Sequence, residues 1–260
     1  SLIEPLCVSA LNTPAERASG QVFLRVLRDS LFAASGGSNL LLPRQNLSAL
    51  LPDAALAWLA QQGGVLRLGV RVQSIMAANS AAHSGWLINT ANSRETFERV
   101  ILACPPNEAA RLVESAAVAA DDWLVQARRL QHEALCTVYA QAPGVRLKQA
   151  MLALRAGPNE PAQFVFDKGQ LNGPAGLLAF VISASTGDSA TLTEQVLAQA
   201  ARQLGLNDLQ PVQTIVEKRA TFACTPDLKR PAARIAPGLL ACGDYRSEER
   251  RVGKECRSRW

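Results

Sequence analysis

Residues 238–245 read GLLACGDY, an apolar run that passes directly into Gly243-Asp244. A second run of the same kind, VILACPP at 100–106, ends on Pro105-Pro106. Short continuous apolar runs bounded by turn residues are expected of strands buried on both faces, and such strands belong to α/β sheets. Each run here ends in residues that expose or redirect the backbone at the strand exit: glycine removes the side chain, and proline opens a helix.

The residues after Tyr245, RSEERRVGKECRSRW (246–260), have no periodic apolar face. They resemble the in-frame translation of a common sequencing adapter. They are expected to be non-native and are set aside from fold reasoning. On this reading the chain is a fragment cut at both ends.

The tail also distorts the charge. The formal net charge is +5, but residues 246–260 carry six Arg/Lys and three Glu, which leaves about +2 for the rest. Those remaining charges are scattered, so no nucleic-acid surface is expected. A hydrophobic content of 48% with 19% charged residues describes a folded globular chain, long enough for one large or two small domains. Of six cysteines, Cys256 lies in the tail. Cys7, Cys104, Cys136, Cys224 and Cys242 have no C-x-x-C spacing and sit among apolar neighbours, as buried thiols of a reducing compartment do. With only His83 and His132 available, no zinc site is expected. No apolar run reaches the roughly 20 residues that span a bilayer.

Local patterns predict alternating element types. Thr13-Pro14-Ala15-Glu16 reads as a helix start with a capping box, followed by Phe23, Val26, Leu27 and Leu31 at helical spacing. A second helix is predicted over 53–62. Strands follow at 65–68, 70–76 and 85–89, with a polar turn at 79–84 and then the strand at 100–103. Helices are predicted at 107–115 and 122–130, and strands at 134–141, 150–154, 163–166 and 177–183. A helix over 192–204 has Thr191 and Glu194 as its capping box and Gly205 as its stop. Strands at 212–219 and 239–242 complete the chain.

The chemistry-bearing features are the two strand exits. Backbone amides at strand ends and helix starts can approach an anionic dinucleotide where glycine removes the side chain. A following Asp can accept hydrogen bonds from hydroxyl groups. Taken singly, Gly243-Asp244 also reads as an ordinary strand-to-turn exit. No G-x-G-x-x-G follows a strand anywhere in the chain; either the chain binds no dinucleotide or, as expected here, that fingerprint lies upstream of Ser1. Three further strings are distinctive: LCVSALNTP (6–14), SNLLLPRQNLSALLP (38–52) and EKRATFACTPDLKRP (217–231). Their plain reading is capping and packing, with Arg44 solvated. His83 reads as solvated in a polar turn and His132 as structural, and Cys104 and Cys242 read as small apolar fillers.

With GLLACGDY, these strings resemble the squalene-associated FAD-dependent desaturases of the amine-oxidase/phytoene-desaturase superfamily, over essentially residues 2–245. The resemblance is specific in SALNTP, LLLPR and ATFACTP and generic in VILACPP and GGVLRLGVRVQSI. It implies an α/β fold in which a Rossmann-like FAD-binding domain, incomplete here, is interleaved with an α+β substrate domain. The implied division is 1–62 as substrate-domain helices, 63–106 as part of the FAD domain, 107–237 as substrate domain, 238–245 as the last FAD-domain strand and 246–260 as tail.

The resemblance also implies residue roles. Val72 would meet the adenine end of FAD through its backbone. Ala103, Cys104 and Pro105 would line the adenosine side, and Gly243 and Asp244 would reach the ribityl–pyrophosphate region. No catalytic residue is assigned. The implied reaction is reductive dehydroxylation of hydroxysqualene to squalene in hopanoid biosynthesis, with an apolar C30 isoprenoid as substrate and the helices at 22–32 and 47–59 as tunnel walls. Other readings are a sibling flavin-dependent desaturase, an amine or porphyrinogen oxidase, or an isoprenoid-binding module without redox chemistry. The expected setting is cytoplasmic, with peripheral contact at the inner face of the plasma membrane and association with other squalene-pathway enzymes. The fragment alone is expected to be inactive and to retain no stoichiometric FAD.

Overall fold

The computed structural model describes residues 3–32, 35–80 and 83–246. In chain order the elements are α1 (Ile3–Leu11), α2 (Gly20–Leu31), α3 (Leu47–Leu50), α4 (Pro52–Gln61), β1 (Ser74–Ser80), β2 (His83–Asn89), β3 (Arg94–Phe97), β4 (Val100–Leu102), α5 (Pro106–Ser115), α6 (Asp121–Arg129), β5 (His132–Gln141), β6 (Met151–Ala153), β7 (Phe164–Asp167), β8 (Leu177–Ser183), α7 (Ser189–Leu204), β9 (Gln210–Phe222), β10 (Arg234–Ala236) and β11 (Leu239–Ala241). They fall into two units. One comprises Ser1–Gly64 with His132–Pro226; the other comprises Val65–Gln131 with Asp227–Trp260.

The first unit is built on an antiparallel five-stranded sheet in the order β6-β7-β8-β5-β9. Alternation along the strands sends Cys136, Val138, Val165, Leu178 and Phe180 to one face, where all are fully buried. Helix α7 covers that face with Leu192, Val196, Gln199 and Ala200, a stripe at helical spacing. Burial of each large apolar side chain stabilises the unit by roughly 1.5–3 kcal/mol. The helix ends where predicted, on Gly205 with φ +69°. Its start lies further upstream than predicted. Asp188, not Thr191, is the N-cap, because its carboxylate accepts from the amides of both Ala190 and Thr191 at 3.0 Å.

The predicted helix start at Thr13 is also corrected. Residues 3–11 are already helical, and Asn12, with φ +45°, ends that helix. Thr13 is fully buried; its Oγ1 donates to the carbonyl of Leu11 and accepts from the amide of Cys224 at 2.9 Å. Pro14 opens a turn whose carbonyl receives the amides of Arg17 and Ala18. The next helix therefore starts at Gly20, with Ser19 as its cap.

The second unit carries an antiparallel meander, β1-β2-β3, and a separate three-stranded sheet in the order β10-β11-β4. Helices α5 and α6 pack on both through a core of Ile75, Trp86, Leu102, Ala109, Val113, Trp123 and Leu239. Both buried indoles are satisfied: Trp86 Nε1 donates to Pro237 O at 3.2 Å and Trp123 Nε1 to Ala232 O at 2.8 Å. These contacts move the expected boundary. Residues 107–131 and 227–237 pack with β1, β2, β4 and β11 of this unit, because their apolar side chains and indole partners lie there.

Other local expectations shift as well. Residues 65–73 form no strand, and Gly69 turns the chain there with φ +71°. The strands β1 and β2 extend through Ser80 and from His83, so most of the polar turn expected at 79–84 is ladder. The solvated imidazole expected at His83 lies outside the described side chains. Ile101, expected to be buried, is 56% exposed, because β4 is an edge strand covered on the Val100–Leu102 face alone. Asp244–Arg246 forms a single 3-10 turn; the rest of the tail, 247–260, lies outside the described residues. Among the described residues no helix is long and apolar enough to cross a membrane.

Candidate cofactor site

Strands β4 and β11 are parallel, with Val100 opposite Leu239, Ile101 opposite Leu240 and Leu102 opposite Ala241. Parallel neighbours end on the same side, and the carboxyl ends of parallel strands are where α/β folds bind ligands. The structure therefore brings five of the six sequence-expected residues into two adjacent exits: Ala103, Cys104 and Pro105 after β4, and Gly243 and Asp244 after β11. The amide of Cys242 donates to Leu102 O at 3.0 Å and ties the exits together.

The exit after β4 feeds directly into α5. Pro106 occupies the first turn, and no side chain caps the helix. The amides of its first turn therefore remain open, together with the positive end of the helix dipole. Ala103 and Pro105 are exposed and Cys104 is half-buried. Burial raises the Cys104 thiol above its ordinary pKa; Glu108 and Cys242 push the same way, and Arg111 opposes them. Cys104 is therefore a neutral thiol at neutral pH, in keeping with a filler and not with a nucleophile.

The exit after β11 is shaped by Gly243, whose φ is +155° and where an added Cβ would lie 2.7 Å from the Tyr245 ring. Tyr245 is buried, and its amide donates to Asp244 Oδ1 at 2.7 Å. Asp244 itself is exposed. One carboxylate oxygen thus anchors the turn and the other is available to a ligand.

Val72 is placed differently. It is half-buried ahead of β1, and its carbonyl accepts from Arg111 Nη2 at 3.1 Å. Arg111 Nη1 also holds Gln73 O at 2.7 Å, and Arg111 Nε pairs with Glu108 at 3.0 Å. That pairing, helped by Arg71, holds the Glu108 carboxyl below the usual range. Val72 is tied to α5 through Arg111 and lines a cavity of about 500 Å³ with Val70, Ile88 and Phe97, which includes none of the exit residues. The role of Arg111 was not read from sequence; the Glu108–Arg111 spacing of three on a helix was the available signal.

The donor set fits a flavin dinucleotide in kind. It offers open helix-start amides for anionic oxygens, a carboxylate for sugar-like hydroxyls, and a glycine that keeps one exit free of side chain. The chain contains no G-x-G-x-x-G. Among the described residues no group of three His, Cys, Asp or Glu side chains could hold a metal ion.

Comparison with known proteins agrees with this chemistry. The family described as flavin containing amine oxidoreductase matches residues 19–248. Hydroxysqualene dehydroxylase of Rhodopseudomonas palustris is 25% identical over 259 residues, covering 94% of this chain and 56% of that protein. Among solved structures, an oxidoreductase from Methanosarcina mazei superposes with a TM-score of 0.67 at 14% identity, covering 94% of this chain and 58% of its own. Cyclohexylamine oxidase from Brevibacterium oxydans does so with a TM-score of 0.60 at 12% identity, covering 95% and 58%. The chain thus spans a little over half the length of each of these proteins, and the two structures share its fold.

Proposed function

Because the chain belongs to the flavin containing amine oxidoreductase family, whose cofactor is FAD, we propose that it is part of an enzyme that reductively dehydroxylates hydroxysqualene to squalene. The observation that carries this reading is the similarity to a hydroxysqualene dehydroxylase across 94% of the chain.

The exits of β4 and β11 would hold FAD. Asp244 and the α5 amides would bind its polar centre, and Arg111 would fix the backbone of Val72 beside α5. When bound in reduced form, FAD supplies hydride. That chemistry would exchange the substrate hydroxyl, lost with a proton as water, for hydride on carbon, the flavin being oxidised and the substrate reduced. The protein orients the two partners and keeps water away from the electron-poor carbon.

A C30 hydrocarbon needs a long apolar wall. The second face of the five-stranded sheet offers one. Alternation places Leu135, Thr137, Tyr139, Phe164, Phe166 and Val181 there, all half-buried, with Phe164 opposite Val181 in register. Helices α2 to α4 add exposed Leu24, Leu47, Leu50 and Trp58. Delivery from a membrane surface and contact with other squalene-pathway enzymes belong to the same reading.

The test is product analysis by gas chromatography with the full-length gene product, FAD and a reductant. Squalene from hydroxysqualene supports the assignment. Bound flavin with no squalene, but with desaturation of a carotenoid precursor or oxidation of an amine, moves the protein to a sibling activity.

A further inference from the structure

The five-stranded sheet of the first unit ends in two turns that the flavin chemistry leaves unused. Strands β5 and β7 both run antiparallel to β8, so the chain leaves them at the same end of the sheet. The turn after β5 carries Arg146 and Lys148, and the turn after β7 carries Lys168.

A buried carboxylate clamps these turns together. Asp167 Oδ2 accepts from the Leu147 amide at 2.9 Å and from Gln170 Nε2 at 2.7 Å, and Gln170 Nε2 also donates to Leu147 O at 2.9 Å. The Lys168 carbonyl takes the Gly173 amide at 2.7 Å, which closes the second turn. Leu147 is buried, and Arg146 and Lys148 on either side of it are exposed. Lys168 directly follows the clamping Asp167. Two segments 20 positions apart thus present three cations on one fixed scaffold.

The fold does not neutralise them. Among the described residues none of the three side chains forms an ion pair or a hydrogen bond, whereas Arg17, Arg25, Arg28 and Arg202 of the same unit pair with Glu133, Asp29 and Glu160. Residues 141–149 and 168–176 contain no Asp or Glu. Asp167 is buried, and its oxygens are taken up by the donors that hold the turns. Like charges gathered without a counter-ion repel one another and add nothing to folding.

The character of the cluster selects its partner. Arg146 and Lys148 are exposed and Lys168 is half-buried, so they suit a plane of many weak anionic contacts and not one enclosed anion. Val145 and Leu171, half-buried in the same turns, add apolar groups suited to headgroup level. Strand β7 links this end to the apolar second face, since Phe164 and Phe166 lead along it to Lys168.

We propose that Arg146, Lys148 and Lys168 dock this end of the sheet on an anionic phospholipid surface. The assignment deepens the proposed function and rests on that reading for what the surface delivers, an apolar C30 substrate. Vesicle binding needs neither flavin nor turnover, so either can fail while the other holds.

The test is flotation of the full-length protein with vesicles of phosphatidylcholine alone and of phosphatidylcholine mixed with phosphatidylglycerol. The protein should float with the mixed vesicles, weakly or not at all with the neutral ones, and less as ionic strength rises. Each of Arg146→Gln, Lys148→Gln and Lys168→Gln should weaken partitioning about fivefold, and the three together roughly a hundredfold. The urea midpoint of the triple variant should be unchanged, because no internal ion pair is lost. Lys218→Gln, an exposed cation on β9, should bind as before. No binding to the mixed vesicles, equal binding to both, a triple variant that binds as tightly, or a Lys218→Gln loss equal to those of the cluster would overturn the assignment. So would release by inorganic phosphate at an ionic strength where chloride has no effect, which would mark a site for the free anion.

Discussion

The amide of Cys242 donates to the carbonyl of Leu102 at 3.0 Å, one step beyond the last register pair of β11 and β4. That bond carries the parallel ladder into the two exits and holds Gly243-Asp244 beside Ala103-Cys104-Pro105. Residues roughly 140 positions apart in sequence thereby share one strand-end edge, as the parallel arrangement requires.

Asp244 is the carboxylate on that edge. Asp244→Ala should raise the FAD dissociation constant about tenfold or more, because a charge-assisted bond to a hydroxyl is lost. Asp244→Asn, which keeps an acceptor for the Tyr245 amide, should fall between. Flavin fluorescence titration reads both. Unchanged affinity in the alanine variant would remove Asp244 from the site.

Gly238 starts β11 with φ +74°, and its carbonyl receives the Val100 amide at 2.8 Å. An added Cβ would lie 2.8 Å from Glu98 O and 3.0 Å from Trp86 Nε1. Gly238→Ala should therefore destabilise by roughly 2–3 kcal/mol, from the left-handed backbone and the crowding together. A shift in the urea midpoint measures it. A change below about 0.5 kcal/mol, the size of an ordinary surface substitution, would contradict the tight approach.

Asn12 joins three segments. Its Nδ2 faces Glu133 O and Ala134 O at 3.4 Å and Thr221 Oγ1 at 3.1 Å, while Oδ1 holds the Ala184 amide. Asn12→Ala should cost about 2–4 kcal/mol, since it strands buried backbone groups and puts alanine at positive φ. Asn12→Asp keeps the acceptor, loses the donors and should also destabilise. Chemical denaturation of the two variants distinguishes the contributions.

Acid stability should report Asp167. Burial of this carboxyl favours its protonated form, but hydrogen bonds from the Gln170 side chain and from the amides of Leu147, Gln170 and Gly169 outweigh it and lower the pKa. A lowered folded-state pKa means that the unfolded chain binds the proton more tightly. The stabilisation is therefore complete above the unfolded value of about 3.9 and is lost as pH falls through the folded value. Asp167→Asn should be less stable at neutral pH and should show a flatter decline below about pH 4. Parallel acid limbs in urea midpoints taken across that range would contradict this assignment.

Much of the fold was legible where local pattern and tertiary packing agree. Strand 177–183 and the stop of α7 at Gly205 follow from a continuous apolar run and from a glycine free to adopt positive φ. The strand exits at Pro105 and Gly243 were legible for the same reason. Other elements carry no such signal. The strand Arg94–Phe97 reads RETF, without apolar alternation, and Arg234–Ala236 is too short to show a period. Thr13 has the composition of a helix cap, yet the Cys224 amide, 211 positions away, takes its hydroxyl. Arg111 and its hold on Val72 and Gln73 are tertiary as well, so the site residue that spacing alone could suggest was a partner for Glu108, not a backbone clamp.

The most direct measurement loads the full-length protein with FAD, reduces the flavin without oxygen and adds hydroxysqualene in a single turnover. The visible absorption band of oxidised flavin should return as squalene forms, one molecule per flavin. Flavin that binds and stays reduced with no squalene formed, or a protein that takes up no flavin, would contradict the assignment.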